Sequence, residues 1–146
     1  MDNLINFSRD VTVDEVKQFC FGGHARFTLE SKVSGNHFTF EISKKEYPGD
    51  KVYWFASVLT NGDQYTYIGK VLSRSYIQFT PKSRLTDDAP AVKALRWFLR
   101  ALCAGQVPET VSVYHSGKCG CCGRELTDPE SVRCGLGPVC REKMCA

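Results

Sequence analysis

No uninterrupted apolar run in the 146-residue chain approaches the roughly 18–20 residues that a membrane helix needs. The opening stretch from Met1 to Asp10 also lacks the basic start and the roughly 7–15-residue apolar run of a secretory leader. The expectation is a cytoplasmic protein with no membrane partner. In a reducing compartment clustered cysteines more often mean metal than disulfides.

Enzyme signatures are equally scarce. The chain has no His-Glu-x-x-His and no His-x-Glu followed by Pro-Cys-x-x-Cys, the pattern of zinc deaminases. Gly135 and Gly137 lead into Pro138, which lacks the N–H that a phosphate cradle requires. His24 and His37 fall in strand-like sequence with no cysteine arranged around them, and read as ordinary surface or core histidines. Strong charge of one sign is missing too, since the net value is only +3.

What the chain does have is cysteine, unevenly placed. Six of its eight cysteines, Cys119, Cys121, Cys122, Cys134, Cys140 and Cys145, lie in the last 28 residues, whereas Cys20 and Cys103 stand alone in apolar surroundings as expected buried thiols. A chain of this length fits a domain of about 100 residues plus a small appendage that needs a staple, because the appendage cannot bury enough apolar surface alone. The division expected is an α+β domain over residues 1–110 and a zinc-binding finger over 111–146.

Within the first part, Thr12 to Glu15 has capping-box spacing and predicts a helix from Val13 to about Phe21, with Val16 and Phe19 or Cys20 inward. Ala25 to Val33 alternates, placing Ala25, Phe27, Leu29 and Val33 on one face. Ser34-Gly35-Asn36 then turns the chain into a second alternating run, His37 to Lys44. Val52 to Leu59 is apolar on both faces, Asn61-Gly62 makes another tight turn, and Tyr65–Leu72 and Tyr76–Thr80 complete an antiparallel sheet of about five strands.

Asp87 or Asp88 can cap a following helix that starts with Pro90 and ends at Cys103 or Ala104. Val92, Leu95, Leu99 and Leu102, widened by Ala91 and Phe98, form its core face. The helix packs on the sheet, and its other face carries Lys93, Arg96 and Arg100, with Lys82 and Arg84 just before it. Residues 70–105 hold 7 Lys/Arg against 2 Asp/Glu. Such a face could grip phosphates, although a solvated helix face is commonly basic in any case. Tyr65, Tyr67 and Tyr76 could stack on bases, whereas aromatics at strand period usually fill a core.

Cys119 and Cys122 are a Cys-x-x-Cys pair whose tight turn Gly120 and Gly123 make easy, so both thiolates can reach one zinc ion, and Lys118 and Arg124 favour the ionised form. Cys121 reads as a spectator. Cys140 supplies the third thiolate. His115, Cys134 and Cys145 remain open for the fourth position, with Cys145 the least suited because it adjoins the terminus.

The run from His115 to Ser131 resembles a family of small bacteriophage and actinobacterial zinc-binding proteins of unknown function. The shared pattern is His-x-Gly-x-Cys-x-x-Cys-Gly-Arg-x-Leu-Thr-x-Pro-x-Ser, then Gly-x-Gly-Pro-x-Cys, matched here by Gly135 to Cys140. Phe27-Thr28-Leu29, Phe38-Thr39-Phe40, Trp54 to Leu59 and Ala89 to Trp97 extend the similarity upstream. The resemblance implies His115, Cys119, Cys122 and Cys140 as the ligand set, with Cys134 as the substitute.

A catalytic zinc needs an open position and a nearby acid or base. Glu125, Glu130 and Glu142 are near in sequence, but the zinc-enzyme signatures are absent, so a structural zinc in a non-enzymatic protein is the expectation. Two functions fit it. One is a phage accessory protein that binds and inhibits a host protein, such as a defence or transcription component. The other is a DNA- or RNA-binding zinc-finger protein that uses Lys82, Arg84, Lys93, Arg96, Arg100 and Arg124.

Overall fold

A computed structural model describes residues 4–7 and 10–144; Cys145 lies outside the described residues. The elements run β1 (Ile5–Asn6), α1 (Val13–Cys20), β2 (His24–Ser31), β3 (His37–Tyr47), β4 (Lys51–Asn61), β5 (Gln64–Leu72), β6 (Tyr76–Gln78), α2 (Pro90–Cys103), β7 (Val111–His115), α3 (Pro129–Cys134) and α4 (Pro138–Met144).

The strands form one antiparallel sheet in the order β1-β7-β2-β3-β4-β5-β6. The expected five-stranded meander is its larger part, from β2 to β6. β1 was not expected, and β7, whose Val111 to Tyr114 reads as an extended segment in the sequence, inserts between β1 and β2 and pairs with both. Residues 111–115 are therefore interior to the sheet, and the segment set apart from it begins only after His115.

The capping box forms as its spacing predicts. Thr12 Oγ1 accepts from the Glu15 N–H at 3.1 Å, and Glu15 Oε1 accepts from the Thr12 N–H at 2.9 Å. Helix α1 buries Val16, Phe19 and Cys20. The cap of α2 differs from expectation, because Ala89 stands at its N-cap, no side chain closes it, and Pro90 supplies the first turn. A missing cap costs about 1 kcal/mol, whereas each buried aliphatic or aromatic side chain contributes about 1.5–3 kcal/mol. Ala91, Val92, Leu95, Phe98, Leu99 and Leu102 are all buried, and this outweighs the open terminus.

Both long helices pack on one side of the sheet. Phe98 of α2 meets Phe27 of β2 with ring centroids 5.9 Å apart, and Trp54 of β4 donates to the Phe21 carbonyl at 3.0 Å just beyond α1. The core lies between these helices and Phe27, Phe40, Ile42, Ala56 and Val58 of the sheet. Two expected core residues fall outside it. Val33 is 84% exposed because β2 ends at Ser31 and turns, and Cys103 is exposed at the last turn of α2, although Cys20 is buried as expected.

Candidate metal centre

After β7 the chain makes a tight knuckle. A bridge pairs Lys118 with Glu125, the Cys119 N–H donates to the Arg124 carbonyl at 2.8 Å, and the Gly123 N–H returns to the Cys119 carbonyl at 2.9 Å. Gly123 sits in the left-handed region, φ 78°, which lets the turn close between the two cysteines.

The opposite half of the centre is built by two short helices. Asp128 caps α3, accepting from the Ser131 N–H at 3.0 Å and the Ser131 hydroxyl at 2.6 Å, and Gly135 ends it with a left-handed φ of 78°. Leu136 and Gly137 then swing the chain into α4, whose first turn carries Cys140.

This construction brings the Sγ atoms of Cys119, Cys122 and Cys140 within 4.8 Å of one another. All the described cysteines are free thiols. Around a zinc ion with Zn–S of about 2.3 Å, tetrahedral sulfurs lie roughly 3.8 Å apart, so a contraction of about 1 Å or less closes three thiolates on one ion. The donor set fits a thiophilic metal.

Backbone amides support the first sulfur. The N–H groups of Cys121 and Gly137 each point at Cys119 Sγ from 3.4 Å. Burial pushes the Cys119 thiol up, but the amides of Gly137, Cys122 and Cys121 outweigh it and draw the thiol below its ordinary value. Cys140 moves the other way, raised by burial and by hydrogen bonding with the thiols of Cys122, Cys119 and Cys121.

His115, implied as the fourth ligand by the family resemblance, is not brought to the three sulfurs. It is fully buried beneath β7, edge-on to Phe7 at 4.9 Å. Its Nε2 donates to the Val132 carbonyl at 2.7 Å and its Nδ1 accepts from the Gly117 N–H at 3.0 Å, so neither nitrogen is left for a metal. Cys134, the substitute, packs in the same small core, but its thiol faces the Leu136 carbonyl and the Arg141 guanidinium, each 3.7 Å away. Among the described residues, the three cysteines are the only such group.

The remaining expected site residues are dispersed. Lys93 and Arg100 are exposed and Arg96 is half-buried on α2, and Lys82 and Arg84 lie in the loop before it. Arg124 borders a different feature, a cleft of about 340 Å3 on the three cysteines, shared with Asp128, Ser131 and Lys143.

The centre is also welded to the sheet domain, which its sequence did not announce. A Cβ on Gly120 would lie 2.6 Å from the Phe19 carbonyl oxygen, and one on Gly135 would lie 2.5 Å from the Phe19 ring. The Gly120 N–H donates to the Gly135 carbonyl at 3.0 Å, and the His24 N–H donates to the Gly120 carbonyl at 2.7 Å. The glycines in this run were legible as turn-formers; their role as contact points for Phe19 depends on a residue about 100 positions away and had no local signal.

Residues 110–144, which span β7 and five of the six clustered cysteines, match a family of unknown function, DUF6011. No curated protein and no solved structure matches the chain.

Proposed function

We propose that the chain is a non-enzymatic nucleic-acid-binding accessory protein in which a zinc ion, held by Cys119, Cys122 and Cys140, has a structural role. Its resemblance to bacteriophage proteins fits a phage product acting in the cytoplasm of a bacterial host. The observation that carries the binding function is the set of cations without a carboxylate partner. Among the described residues only Arg26, Lys44 and Arg133 of the lysines and arginines are ion-paired. The Lys93, Arg96 and Arg100 row of α2 is among those without a carboxylate partner and is available to phosphates.

The structural role rests on what surrounds the thiols. A hydrolytic zinc would need a poised acid or base, yet His115 has both nitrogens engaged by backbone groups, Asp128, which borders the cleft, has both oxygens engaged by Ser131, and Glu125, the other carboxylate on the cleft, stands exposed to solvent. The test is retention of labelled DNA or RNA by the zinc-loaded chain at about 50 mM salt, falling steeply toward about 200 mM. A chain that retains neither at the lower salt is not a nucleic-acid-binding protein.

One observation favours the second reading, an inhibitor of a host defence or transcription protein. Trp97 is 48% exposed on α2, beside a groove of about 220 Å3 floored by Leu29, Phe38 and Val111. Exposed tryptophan beside an apolar groove is the kind of anchor that protein interfaces use. A Trp97→Ser variant that recovers the same bacterial proteins from lysate as the unaltered chain removes the basis of this reading.

A further inference from the structure

The face of the sheet turned away from α1 and α2 carries a stripe of four aromatic rings, three of them with a cation upon them. Register and alternation place Tyr53 and Phe55 of β4 on this face, with Tyr65 and Tyr67 of β5 beside them. All four are half-buried at their bases. Lys70 Nζ stands 4.2 Å from the centre of the Tyr53 ring, Lys45 Nζ 5.7 Å from that of Phe55, and the Arg26 guanidinium 5.2 Å from that of Tyr65.

The carboxylates on the same face do not neutralise it. Glu41 is held by Arg26 at 2.7 Å, and Glu30 accepts from the Tyr114 hydroxyl at 3.2 Å. Lys45 and Lys70 have no carboxylate partner among the described residues. At one end the stripe runs into a concavity of about 330 Å3 between the sheet and the cysteine knuckle, bordered by His24, Lys45 and Lys118.

We propose that this face binds single-stranded nucleic acid, with bases stacked on Tyr53, Phe55 and Tyr67 and phosphates held by Lys45, Lys70 and Lys118. The proposal rests on the nucleic-acid reading above and assigns it a surface and a ligand class. Rings standing on a broad sheet reach only bases that are free of a duplex, because paired bases have their faces covered by their neighbours. Lys45 and Lys70 already lie over rings, so a base that takes the ring displaces the ammonium toward the adjoining phosphate. An exposed cation–π contact is weaker than base stacking, and the exchange favours the bound state. Every base has a π face, so the expected binding is tolerant of sequence. The basic row on α2 lies on the reverse side of the molecule, where Trp97 is a single exposed ring rather than a stripe.

The experiment measures anisotropy of a labelled single strand of about twelve nucleotides, and of the matching duplex, against the zinc-loaded full chain at about 50 mM salt. The variants are Tyr53→Leu and Phe55→Leu, which keep apolar bulk at the sheet, and Lys45→Gln and Lys70→Gln, which leave packing alone and stand in for the ring variants if those fail to fold. Lys93→Gln with Arg100→Gln reports on α2. The expected result is single-strand binding at least tenfold tighter than duplex binding, weakened about tenfold by each ring change, a few-fold by each lysine change, and no more than a few-fold by the α2 double change. Single-strand affinity unchanged within about twofold in the sheet variants but lost in the α2 variant overturns this assignment and leaves the nucleic-acid function standing. Equal binding of duplex and single strand overturns it likewise, whereas no binding by the unaltered chain overturns both.

Discussion

Arg133 and Glu15, separated by 118 positions in sequence, form a two-pronged ion pair in which Arg133 Nη1 donates to Glu15 Oε1 at 3.0 Å and Nη2 donates to Oε2. The same Glu15 closes the capping box of α1, and the same Arg133 also holds Glu130 within α3. One carboxylate thus ties the start of the first helix to the cysteine-bearing segment.

Removing the guanidinium in Arg133→Met, which keeps the stem, is expected to lower stability by about 1 kcal/mol, the upper range for a pair bordering solvent. The hydrogen bond from Arg133 holds the Glu15 carboxyl below its ordinary 4.5. A depressed carboxylate contributes fully above its unfolded value and ceases to contribute as pH falls through the folded one. Urea midpoints of the variant and the unaltered chain should therefore differ at pH 7 and converge below about pH 4; curves that stay parallel to that pH rule the pair out as the cause.

For His115 the two views of the site part company. His115→Leu leaves the Val132 carbonyl and the Gly117 N–H without their partner, and a loss of about 2–3 kcal/mol is expected, with one zinc retained per chain. Metal loss from a variant that is still folded would restore the histidine to the ligand set. Burial holds the ring below its ordinary 6.5, opposed by the bond to Val132. Since the unfolded chain takes up the proton first, this contribution is complete above about pH 6.5 and declines as pH falls below it, a dependence that His115→Leu should flatten.

Cys119→Ser and Cys140→Ser should each release the metal and, because metal binding at a structural site is folding energy, destabilise the chain by more than about 4 kcal/mol. Hydrogen exchange should show the loss concentrated in α3 and α4, with the β2–β6 meander still protected. Full zinc content in either variant, read by atomic absorption, would falsify the three-thiolate assignment.

Two glycines near the centre make a matched pair. Gly120→Ala forces a methyl to 2.6 Å from the Phe19 carbonyl, where backbone must move, whereas the corresponding position on Gly137 meets nothing within 4 Å. The first change should cost about 2 kcal/mol and the second should pass within about 0.5 kcal/mol in thermal melts. Similar losses at both positions would mean that the knuckle does not dock on α1 as described.

What was legible in the sequence was what repeats or caps locally. Alternation gave β2 and β3, an apolar run between tight turns gave β4, strand-forming residues gave β5 and β6, and Thr12 with Glu15 gave the start of α1. The six-residue apolar face of α2 was readable although its cap was not, because propensity for Asp at a cap yields to packing that the sequence does not display. Val33 continues the alternation of β2 on paper, but its strand has already lost its partner. β1 has only 2 residues and β7 only 5, and both pair across almost the whole chain, so the alternation of Val111, Val113 and His115 marks β7 as extended without showing which strands it joins. His115 shows the limit at the centre itself: its spacing from Cys119 suits a ligand, and only burial beside Phe7 and Phe19 reveals that the ring is a strut.

The interior position of β7 sets an order of assembly. During synthesis β2 emerges early, pairs with β3, and keeps its other edge bare until residues 111–115 leave the ribosome. A bare edge is a template for association with other chains, so the nascent protein is most vulnerable to aggregation while α2 and the loop after it are being made. The strand that ends this interval is followed within a few residues by Cys119 and Cys122, which makes ion capture a late event that locks a sheet already closed.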